Sequence, residues 1–219
     1  MGIDRDQLDS VRSVYRYWGV HPGLYAAQDW VTFLGRPDRV RAAAVAAMGA
    51  RPGDRVLEIG CGTGRNFRYV QDVIGHSGTL VGVDASPDML AAARELSARR
   101  GWRNVSVIEG DASELRVAGF DRVLAVLALS AFPEPSLALA RCHEALRPGG
   151  TLAVCDARGF AGRLSALNRL VVPVYRRWAA WNPDRGIPAG IADVFGNVST
   201  QSLNGGTFFI ATAVKTEGS

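Results

Sequence analysis

A glycine-rich turn between two apolar segments constrains the fold of this chain more than any other feature. The segment Leu57–Gly64 closes an apolar strand and opens a helix. A second apolar strand, Thr79–Val83, follows and leads to Asp84, about twenty residues after the turn. A strand, a glycine turn, a helix, a second strand and an acid occur in this order where a doubly wound sheet binds an adenine nucleoside. The glycines let the backbone approach the ligand, and the carboxylate accepts hydrogen bonds from ribose hydroxyls.

The spacing and charge of the turn distinguish between two adenine-containing ligands. A pyrophosphate loop reads Gly-x-Gly-x-x-Gly and directs a helix N-terminus at the anion, whereas here the third glycine comes one residue early, at Gly64. Glu58 lies two residues before the first glycine, where a negative charge would repel a phosphate and attract a sulfonium and an amino group. The turn therefore favours S-adenosylmethionine over NAD. Two alternatives stay open: a turn without a ligand, and a Glu58 that pairs with Arg65 or Arg68.

The same residues carry a family resemblance. The segment Glu58–Gly64 resembles the first motif of the class I S-adenosylmethionine-dependent methyltransferases. Gly110–Ala112, after the third strand, resembles the adenine motif of that family, and Pro148–Gly150 resembles its turn before the fifth strand. Within the family, the chain looks most similar to the ubiquinone, menaquinone and phospholipid N-methyltransferase group. The resemblance extends over about residues 36–215.

This resemblance implies S-adenosylmethionine as the cofactor, S-adenosylhomocysteine as its product, and a set of cofactor-binding residues. Backbone groups of the turn would hold the methionine part, Asp84 would bind both ribose hydroxyls, and Asp111 would accept from the adenine amino group. The predicted set is Glu58, Gly60, Cys61, Gly62, Thr63, Gly64, Asp84, Ala85, Met89, Asp111, Ala112 and Leu127. Asp84 as a helix-initiating acid and Asp111 as a turn former are the alternatives.

Strands alternate with helices between residues 55 and 156, which predicts an α/β fold of three layers with a doubly wound, Rossmann-like, mostly parallel sheet. Asn204-Gly205-Gly206 between the last two apolar runs predicts an antiparallel hairpin at the sheet edge. The predicted strands are 55–59, 79–84, 105–109, 120–126, 151–156, 198–203 and 207–214. The predicted helices are 4–18, 36–49, 64–74, 86–100, 134–146, 160–182 and 188–195. We expect an N-terminal helical cap at 1–35 and a cofactor-binding methyltransferase domain at 36–219, with a lid-like insertion at about 158–187.

Composition restricts location and partners. Three cysteines, Cys61, Cys142 and Cys155, do not pair evenly and lack metal-ligand spacing, which predicts a reducing cytoplasm and no metal site. The polar segment 1–7 predicts no secretory signal. A net charge of +4 and a pI of about 9.3 suit a nucleic acid or an anionic membrane, or simply an arginine-rich composition. Because Leu129–Pro133 lacks the Asn/Asp-Pro-Pro-aromatic motif of amino-methylating nucleic-acid enzymes and no cysteine follows a proline, we expect no nucleic-acid partner.

The lid-like segment is basic and amphipathic. Residues 157–183 contain five arginines and no acid, and Pro173 is expected to kink or divide the helix. Apolar residues recur at helical spacing, namely Leu164, Leu167, Val171, Val174, Trp178 and Trp181. This pattern predicts peripheral contact of residues 160–181 with an anionic membrane, at the inner face of the cell membrane. The alternatives are a lid that completes the core and arginines that bind an anionic soluble substrate. The oligomeric state stays open.

The acceptor side has weaker signals. The methyl donor is already activated, so proximity and orientation supply much of the catalysis, and a base is needed only when the acceptor must lose a proton. His21 and Tyr17 are the candidate catalytic residues, because an aromatic N-terminal segment closes the pocket in the methyltransferases that this chain resembles. A mechanism without a dedicated base is the alternative. The expected function is methyl transfer to O or N of a small apolar or amphipathic acceptor; the alternatives are a membrane lipid headgroup or quinone as acceptor, and a non-catalytic cofactor-binding protein.

Overall fold

A seven-stranded sheet with helices on both faces organises the chain, and it confirms the predicted fold class. The computed structural model describes residues 14, 16–18, 20–33, 35–160 and 162–217. In chain order the elements are α1 (Pro22–Thr32), α2 (Pro37–Ala47), β1 (Arg55–Ile59), α3 (Phe67–Ile74), β2 (Thr79–Asp84), α4 (Pro87–Arg100), β3 (Val105–Glu109), β4 (Phe120–Val126), α5 (Pro135–Ala145), β5 (Leu146–Ala157), α6 (Asn168–Ala179), α7 (Ile187–Phe195), β6 (Ser199–Leu203) and β7 (Phe208–Val214). Short 3₁₀ turns cover Gly162–Leu167, Pro183–Arg185 and Asn204–Gly206.

The strand order is β3-β2-β1-β4-β5-β7-β6. The first five strands are parallel to their neighbours, and β7 runs antiparallel to both β5 and β6. From β1 the chain adds β2 and β3 on one side, and β4 then begins the other half of the sheet on the opposite side of β1. In open α/β sheets, ligands bind outside the carboxyl ends of the strands at such a reversal of strand order. The fold therefore brings the glycine turn after β1 beside the segment after β4.

The central strands are apolar because helices cover both of their faces. Leu57 in β1 is fully buried between Val81 of β2 and Val123 of β4, with which it is in register. A two-sided core of this kind needs near-continuous apolar runs rather than alternation. For this reason the predicted bounds of β1, β2 and β4 agree with the structure; those of β3, an edge strand without fully buried residues, agree as well.

Local signals set the helix boundaries. Ser86 caps α4, its hydroxyl accepting from the backbone N–H of Met89 at 3.4 Å, and Pro87 takes the first helical position as predicted. The helix after the glycine turn begins at Phe67, three residues later than predicted. Gly64 explains the delay, because its φ of 77° lies in the left-handed region, which a right-handed helix excludes.

The last third of the chain departs from prediction in two places. The segment predicted as one helix over 160–182 divides at Asn168, whose side chain bonds both backbone groups of Phe160, and Pro173 lies inside α6 without dividing it. β5 starts five residues early because Leu146 pairs with Phe120 of β4, and Gly149 and Gly150 bond Lys215. The predicted hairpin is confirmed.

No helix among the described residues is long and apolar enough to cross a bilayer.

The segment before α2 is tied to the body and to α6. Phe33 is fully buried and stacks on Phe208 of β7 with ring centroids 4.9 Å apart. The indole N–H of Trp18 donates to the carbonyl of Trp178 at 2.8 Å. The helix predicted over 4–18 lies mostly outside the described residues, and its residues 14 and 16–18 are helical.

We predict that Gly82→Ala destabilises the sheet. An added Cβ would lie 2.8 Å from Cys61 Sγ and 2.9 Å from the Phe67 ring, where neither partner has room to move. Overpacking of this kind lowers the free energy of unfolding by about 1–3 kcal/mol, which urea denaturation would measure. Gly110→Ala is the matched control, because its Cβ would meet nothing closer than Val83 Cγ1 at 4.0 Å. An equal loss in both variants would contradict the packing argument.

Candidate cofactor and acceptor site

A cleft at the carboxyl ends of the parallel strands brings the predicted motifs together. Of the predicted cofactor-binding residues, those that line this cleft are Gly60, Cys61, Gly62, Thr63, Asp84, Ala85, Asp111, Ala112 and Leu127. Glu58, Gly64 and Met89 do not line it. Glu58 and Met89 are fully buried beneath the surface, and Gly64 shapes the turn. We call this space the cofactor cleft.

Gly62 leaves backbone accessible at the floor of the cleft. Its φ is 53°, and an added Cβ would meet no atom within 4 Å. Its N–H donates to Asp84 Oδ2 at 2.8 Å, which fixes the turn against the end of β2. A side chain at this position would fill the open space and strain the backbone. The turn is thus built for close approach by a ligand.

Asp84 combines a structural bond with free acceptor capacity. Its Oδ2 accepts from Gly62 and its Oδ1 accepts from the N–H of Ser86 at 2.9 Å. Burial raises the pKa of Asp84, while the backbone donors hold it down. A carboxylate has about four acceptor positions, so each oxygen can still accept from one ligand hydroxyl. The bond to Ser86 shows that Asp84 helps to start α4, as in the helix-initiating alternative, and its ribose-binding role stays a prediction.

Asp111 also has a local structural role. Its Oδ1 accepts from the N–H of Ser113 at 2.8 Å and from the Ser113 hydroxyl at 2.7 Å. The turn-forming alternative is therefore present. Both bonds use the same oxygen, and Asp111 lines the cleft together with Gly110 and Ala112. The second oxygen provides an acceptor at the edge of the cleft, on the side of β3.

Glu58 is fully buried and only half satisfied. Its Oε1 accepts from Asn66 Nδ2 at 2.6 Å, whereas its Oε2 has no partner. Burial raises the pKa of Glu58 to about 8, against the lowering effects of the Asn66 bond and the Arg41 charge. Arg65 and Arg68 pair with Asp29 and Asp38 respectively, so the alternative in which either arginine pairs with Glu58 is wrong.

A buried chain of polar groups links Glu58 to the cap. Arg41 Nη1 donates to Asn66 Oδ1 at 2.6 Å, and Arg41 Nη2 donates to both oxygens of Asp29, at 2.7 and 2.8 Å. Arg65 completes an ion pair with Asp29 at 2.9 Å. We call Glu58, Asn66, Arg41, Asp29 and Arg65 the buried polar network. Sequence reasoning missed Asp29, Arg41 and Asn66; the only signal was an arginine next to the apolar face of α2.

A second cavity, the acceptor cavity, adjoins the cofactor cleft at Leu127, which lines both. Leu127 has a φ of 55°, a strained conformation for a branched side chain, and its N–H donates to the carbonyl of Cys155 at 2.8 Å. The cavity has a volume of about 260 Å³, near the lower end of small-molecule pockets, which start at roughly 300 Å³. Its apolar walls come from the cap, α6, β7 and the segments that follow β4, β5 and α6. The residues are Trp18, Val31, Ala131, Phe160, Val171, Tyr175, Trp181 and Phe208.

A hydroxyl–carboxylate pair stands in the wall of the acceptor cavity. Ser130, which lines the cavity, donates its hydroxyl to Asp156 Oδ1 at 2.6 Å and its N–H to Asp156 Oδ2 at 2.9 Å. Asp156 is fully buried at the end of β5, and burial raises its pKa to about 6. Sequence reasoning missed this pair, because Ser130 and Asp156 meet only when β4 and β5 pair.

Tyr17 and His21, the predicted catalytic residues, lie on the outside of the cap. The Tyr17 side chain is 51% exposed and its ring lies 4.7 Å from that of His21. Neither residue lines the cofactor cleft or the acceptor cavity. Their catalytic role stays a prediction.

The chemistry of the cofactor cleft suits S-adenosylmethionine. Asp84 offers two acceptor oxygens for paired hydroxyls, and Asp111 offers one for an amino group. Glu58 lies beneath the turn with one unpartnered oxygen, and a cationic ligand would favour its ionised form. A pyrophosphate would face carboxylates on both sides of the turn, which disfavours a dinucleotide.

Comparisons with known proteins agree with this geometry. Residues 56–150 match a methyltransferase domain family. The chain is 35% identical over 103 residues to aklanonic acid methyltransferase DauC of Streptomyces sp. (strain C5), covering 46% of this chain and 47% of that protein. It is 34% identical over 110 residues to demethylmenaquinone methyltransferase of Staphylococcus aureus, covering 49% and 44%. The chain thus spans about half the length of these curated relatives.

A solved structure extends the likeness in fold beyond the matched segment. A SAM-dependent methyltransferase from Aquifex aeolicus superposes with a TM-score of 0.63 at 17% identity, covering 83% of this chain and 95% of that one. At this identity the likeness concerns the fold. Residues 56–150, which include the glycine turn and Asp84, thus match a methyltransferase domain, and the fold around them is that of an S-adenosylmethionine-dependent methyltransferase.

Proposed function

We propose that this protein transfers a methyl group from S-adenosylmethionine to an oxygen or nitrogen of a small apolar or amphipathic acceptor. The observation that carries the proposal is the junction at Leu127, where an apolar cavity with one polar wall meets the cofactor cleft. An acceptor in that cavity would lie next to the methionine end of a bound cofactor. Methyl transfer requires such proximity and alignment above all.

The two aspartates and Glu58 orient the cofactor in this proposal. When bound, S-adenosylmethionine supplies a methyl group already activated by a sulfonium. Asp84 holds the ribose hydroxyls, Asp111 accepts from the adenine amino group, and Gly62 exposes backbone to the methionine part. Glu58 acts from beneath the turn, where its charge favours a cationic ligand.

Ser130 acts on the acceptor. Because its own proton is directed at Asp156, its oxygen can accept a hydrogen bond from an acceptor hydroxyl in the cavity. As the methyl group passes from the sulfonium sulfur, which becomes a thioether, to the acceptor oxygen, that oxygen would lose its proton to Ser130 Oγ, and the Ser130 proton would pass to Asp156 Oδ1. Asp156 is then a positioning residue and proton store that does not itself contact the acceptor.

The aromatic cavity walls support a flat or amphipathic acceptor, such as a phenol or a quinol. Trp181 and Tyr175 meet edge to face with ring centroids 6.0 Å apart, and Phe208 completes the wall. Two relatives are named aklanonic acid methyltransferase and demethylmenaquinone methyltransferase. A membrane lipid headgroup is the second candidate acceptor, favoured by the exposed apolar surface beside the cavity. A protein that binds the cofactor without transfer is the alternative in another class.

Calorimetric titration followed by an acceptor screen tests the proposal. We expect micromolar binding of S-adenosylmethionine and S-adenosylhomocysteine and none of NAD, then transfer of labelled methyl to members of a panel of quinols, phenols and aminolipids. Asp84→Ala should weaken cofactor binding by about 1–3 kcal/mol through unpaired ribose hydroxyls. Binding without transfer to any acceptor would support the non-catalytic alternative, and binding of NAD alone would overturn the cofactor assignment.

Cofactor affinity should depend on pH through Glu58. With a pKa of about 8, Glu58 is protonated at neutral pH in the unliganded protein, and a cationic ligand favours its ionised form. Binding therefore releases a proton, and affinity falls as pH drops below 8, by up to ~tenfold per unit. Glu58→Gln lacks this dependence. The ratio of wild-type to variant affinity should therefore decrease as the pH is lowered from 8.5 to 6.5.

The cofactor's own amino group titrates equally with the wild type and with Glu58→Gln, so the ratio of their affinities reports the titration of Glu58 alone. The stability of the unliganded protein gives an independent readout of Glu58. Because the folded-state pKa is raised from 4.5, the free energy of unfolding of the unliganded wild type should fall as pH rises from 4.5 to 8. Glu58→Gln should show a flatter profile. An affinity ratio that is constant with pH would exclude proton-linked binding at Glu58.

The Ser130–Asp156 pair should control transfer to hydroxyl acceptors. Since the pKa of Asp156 is about 6, the maximal rate at saturating cofactor should fall as pH drops below 6. Asp156→Asn should remove this limb and slow transfer by ~10²–10⁴-fold, the usual contribution of a general base. Ser130→Ala should act alike, and Ser130→Thr should retain most activity because it keeps the hydroxyl. Unchanged kcat and pH profile in Asp156→Asn, with cofactor affinity intact, would reduce the pair to a structural role.

A further inference from the structure

Exposed large apolar side chains concentrate on two short segments of the described structure. Of the fourteen that are exposed, ten lie within residues 17–31 of the cap or 164–178 of the α6 region. They are Tyr17, Val20, Leu24, Trp30, Val31, Leu164, Leu167, Leu170, Val174 and Trp178. We call these ten side chains the apolar rim. Exposed apolar surface of this extent usually marks an interaction site.

The stripe on α6 runs beside the acceptor cavity. Leu170, Val174 and Trp178 recur at intervals of four, which places them on one helix face. Val171 and Tyr175, one position later in each turn, line the cavity. None of the residues of α6 is buried. The helix therefore shows one part of its apolar face to the cavity and the adjacent part to solvent.

The two parts of the apolar rim form one surface. The Trp18 indole bonds the backbone of Trp178 at 2.8 Å, and the Thr32 hydroxyl donates to the Tyr175 hydroxyl at 3.3 Å. Trp18, Thr32 and Tyr175 also line the acceptor cavity. The cap and α6 thus meet across the cavity, and their exposed side chains lie on both sides of it.

The charges beside the apolar rim decide what can cover it. Residues 157–183 contain five arginines and no acid, and Arg163, Arg169 and Arg177 are exposed. Within residues 14–33 the only acid is Asp29, which is 2% exposed and paired with Arg41. A second copy of this surface would oppose arginines to arginines, which is unfavourable. Anionic lipid headgroups would complement the arginines while the bilayer receives the apolar side chains.

We propose that the apolar rim docks on the surface of an anionic bilayer and turns the acceptor cavity toward the lipid. Trp30 and Trp178, each more than half exposed, would lie at the headgroup level, where amphipathic rings are favoured. The arginines would extend to lipid phosphates while their stems lie along apolar surface. An amphipathic acceptor would then pass from the bilayer into the cavity. This last step rests on the proposed function, whereas docking does not.

Vesicle co-sedimentation of the full chain tests the docking. We expect binding to vesicles of phosphatidylcholine with phosphatidylglycerol, weakened by salt, and little binding to phosphatidylcholine alone. Leu170→Ser with Trp178→Ser should weaken binding at least ~tenfold, because two anchors no longer enter the interface. Ile108→Ser with Leu137→Ser is the matched control, since both residues are exposed but lie outside the apolar rim. These control substitutions should leave vesicle binding unchanged.

Charge-reversal variants test the docking in a second, independent way. Arg163→Glu with Arg169→Glu should reduce binding to anionic vesicles at least ~tenfold, as electrostatic attraction becomes repulsion. Arg100→Glu with Arg103→Glu, exposed at the end of α4 and just beyond it, makes the same change in net charge elsewhere and should have a small effect. All these positions are exposed, so the thermal midpoints of the variants should stay near that of the wild type.

Several outcomes would overturn the proposal. They are no binding to anionic vesicles, equal binding to neutral and anionic vesicles, or equal losses in the test and control variants. Sedimentation that reveals a dimer, lost in Leu170→Ser with Trp178→Ser, would assign the apolar rim to a second copy. Cofactor titration on the same samples separates the two proposals: vesicle binding without methyl transfer to any acceptor leaves docking intact and removes the proposed function.

Discussion

The buried polar network is the interaction on which the arrangement of the site depends. Arg41 lies between two acids, bonded to Asp29 directly and to Glu58 through Asn66. Removing one member of a buried ion pair usually costs about 3–5 kcal/mol, because the remaining charge has no partner. The network therefore fixes α1, α2 and the glycine turn relative to each other. It also leaves one carboxylate oxygen unsatisfied beneath the cleft, where a cationic ligand would neutralise it.

This network runs between the two cavities. Asp29 lines the acceptor cavity, whereas Arg41, Arg65 and Asn66 line the cofactor cleft. Under the proposed function, a change in the charge of Glu58 would act on Asn66 and Arg41, and through them on Asp29. The acceptor cavity is thus formed partly by a helix, α1, that is bonded to residues of the cofactor cleft.

Sequence reasoning succeeded where the signal was local. The bounds of β1 to β4, the Ser86 cap and the final hairpin follow from apolar runs, capping chemistry and glycines within a few residues of each other. The buried polar network and the Ser130–Asp156 pair could not be predicted, because all but one of their bonds join residues 12 or more positions apart and form only through strand order and helix packing. The division of the predicted helix at Asn168 depends on a bond to Phe160, which helical periodicity does not reveal. The catalytic prediction for Tyr17 and His21 used residue type and position in the chain, neither of which determines the direction of a side chain.

The burial free energy that the exposed side chains of the apolar rim do not gain bears on the kind of acceptor. Burying a large apolar side chain contributes about 1.5–3 kcal/mol, and the sheet core buries its own almost completely. The apolar rim lacks this contribution at ten positions, on the two segments that meet across the acceptor cavity. A soluble acceptor would need only the cavity walls to be apolar, not the outer surface of the helices that form them. An acceptor dissolved in a bilayer needs both, because docking recovers the lost burial and aligns the cavity with the phase that holds the acceptor. Under the proposed docking, the position of the apolar rim would favour amphipathic acceptors over freely soluble ones.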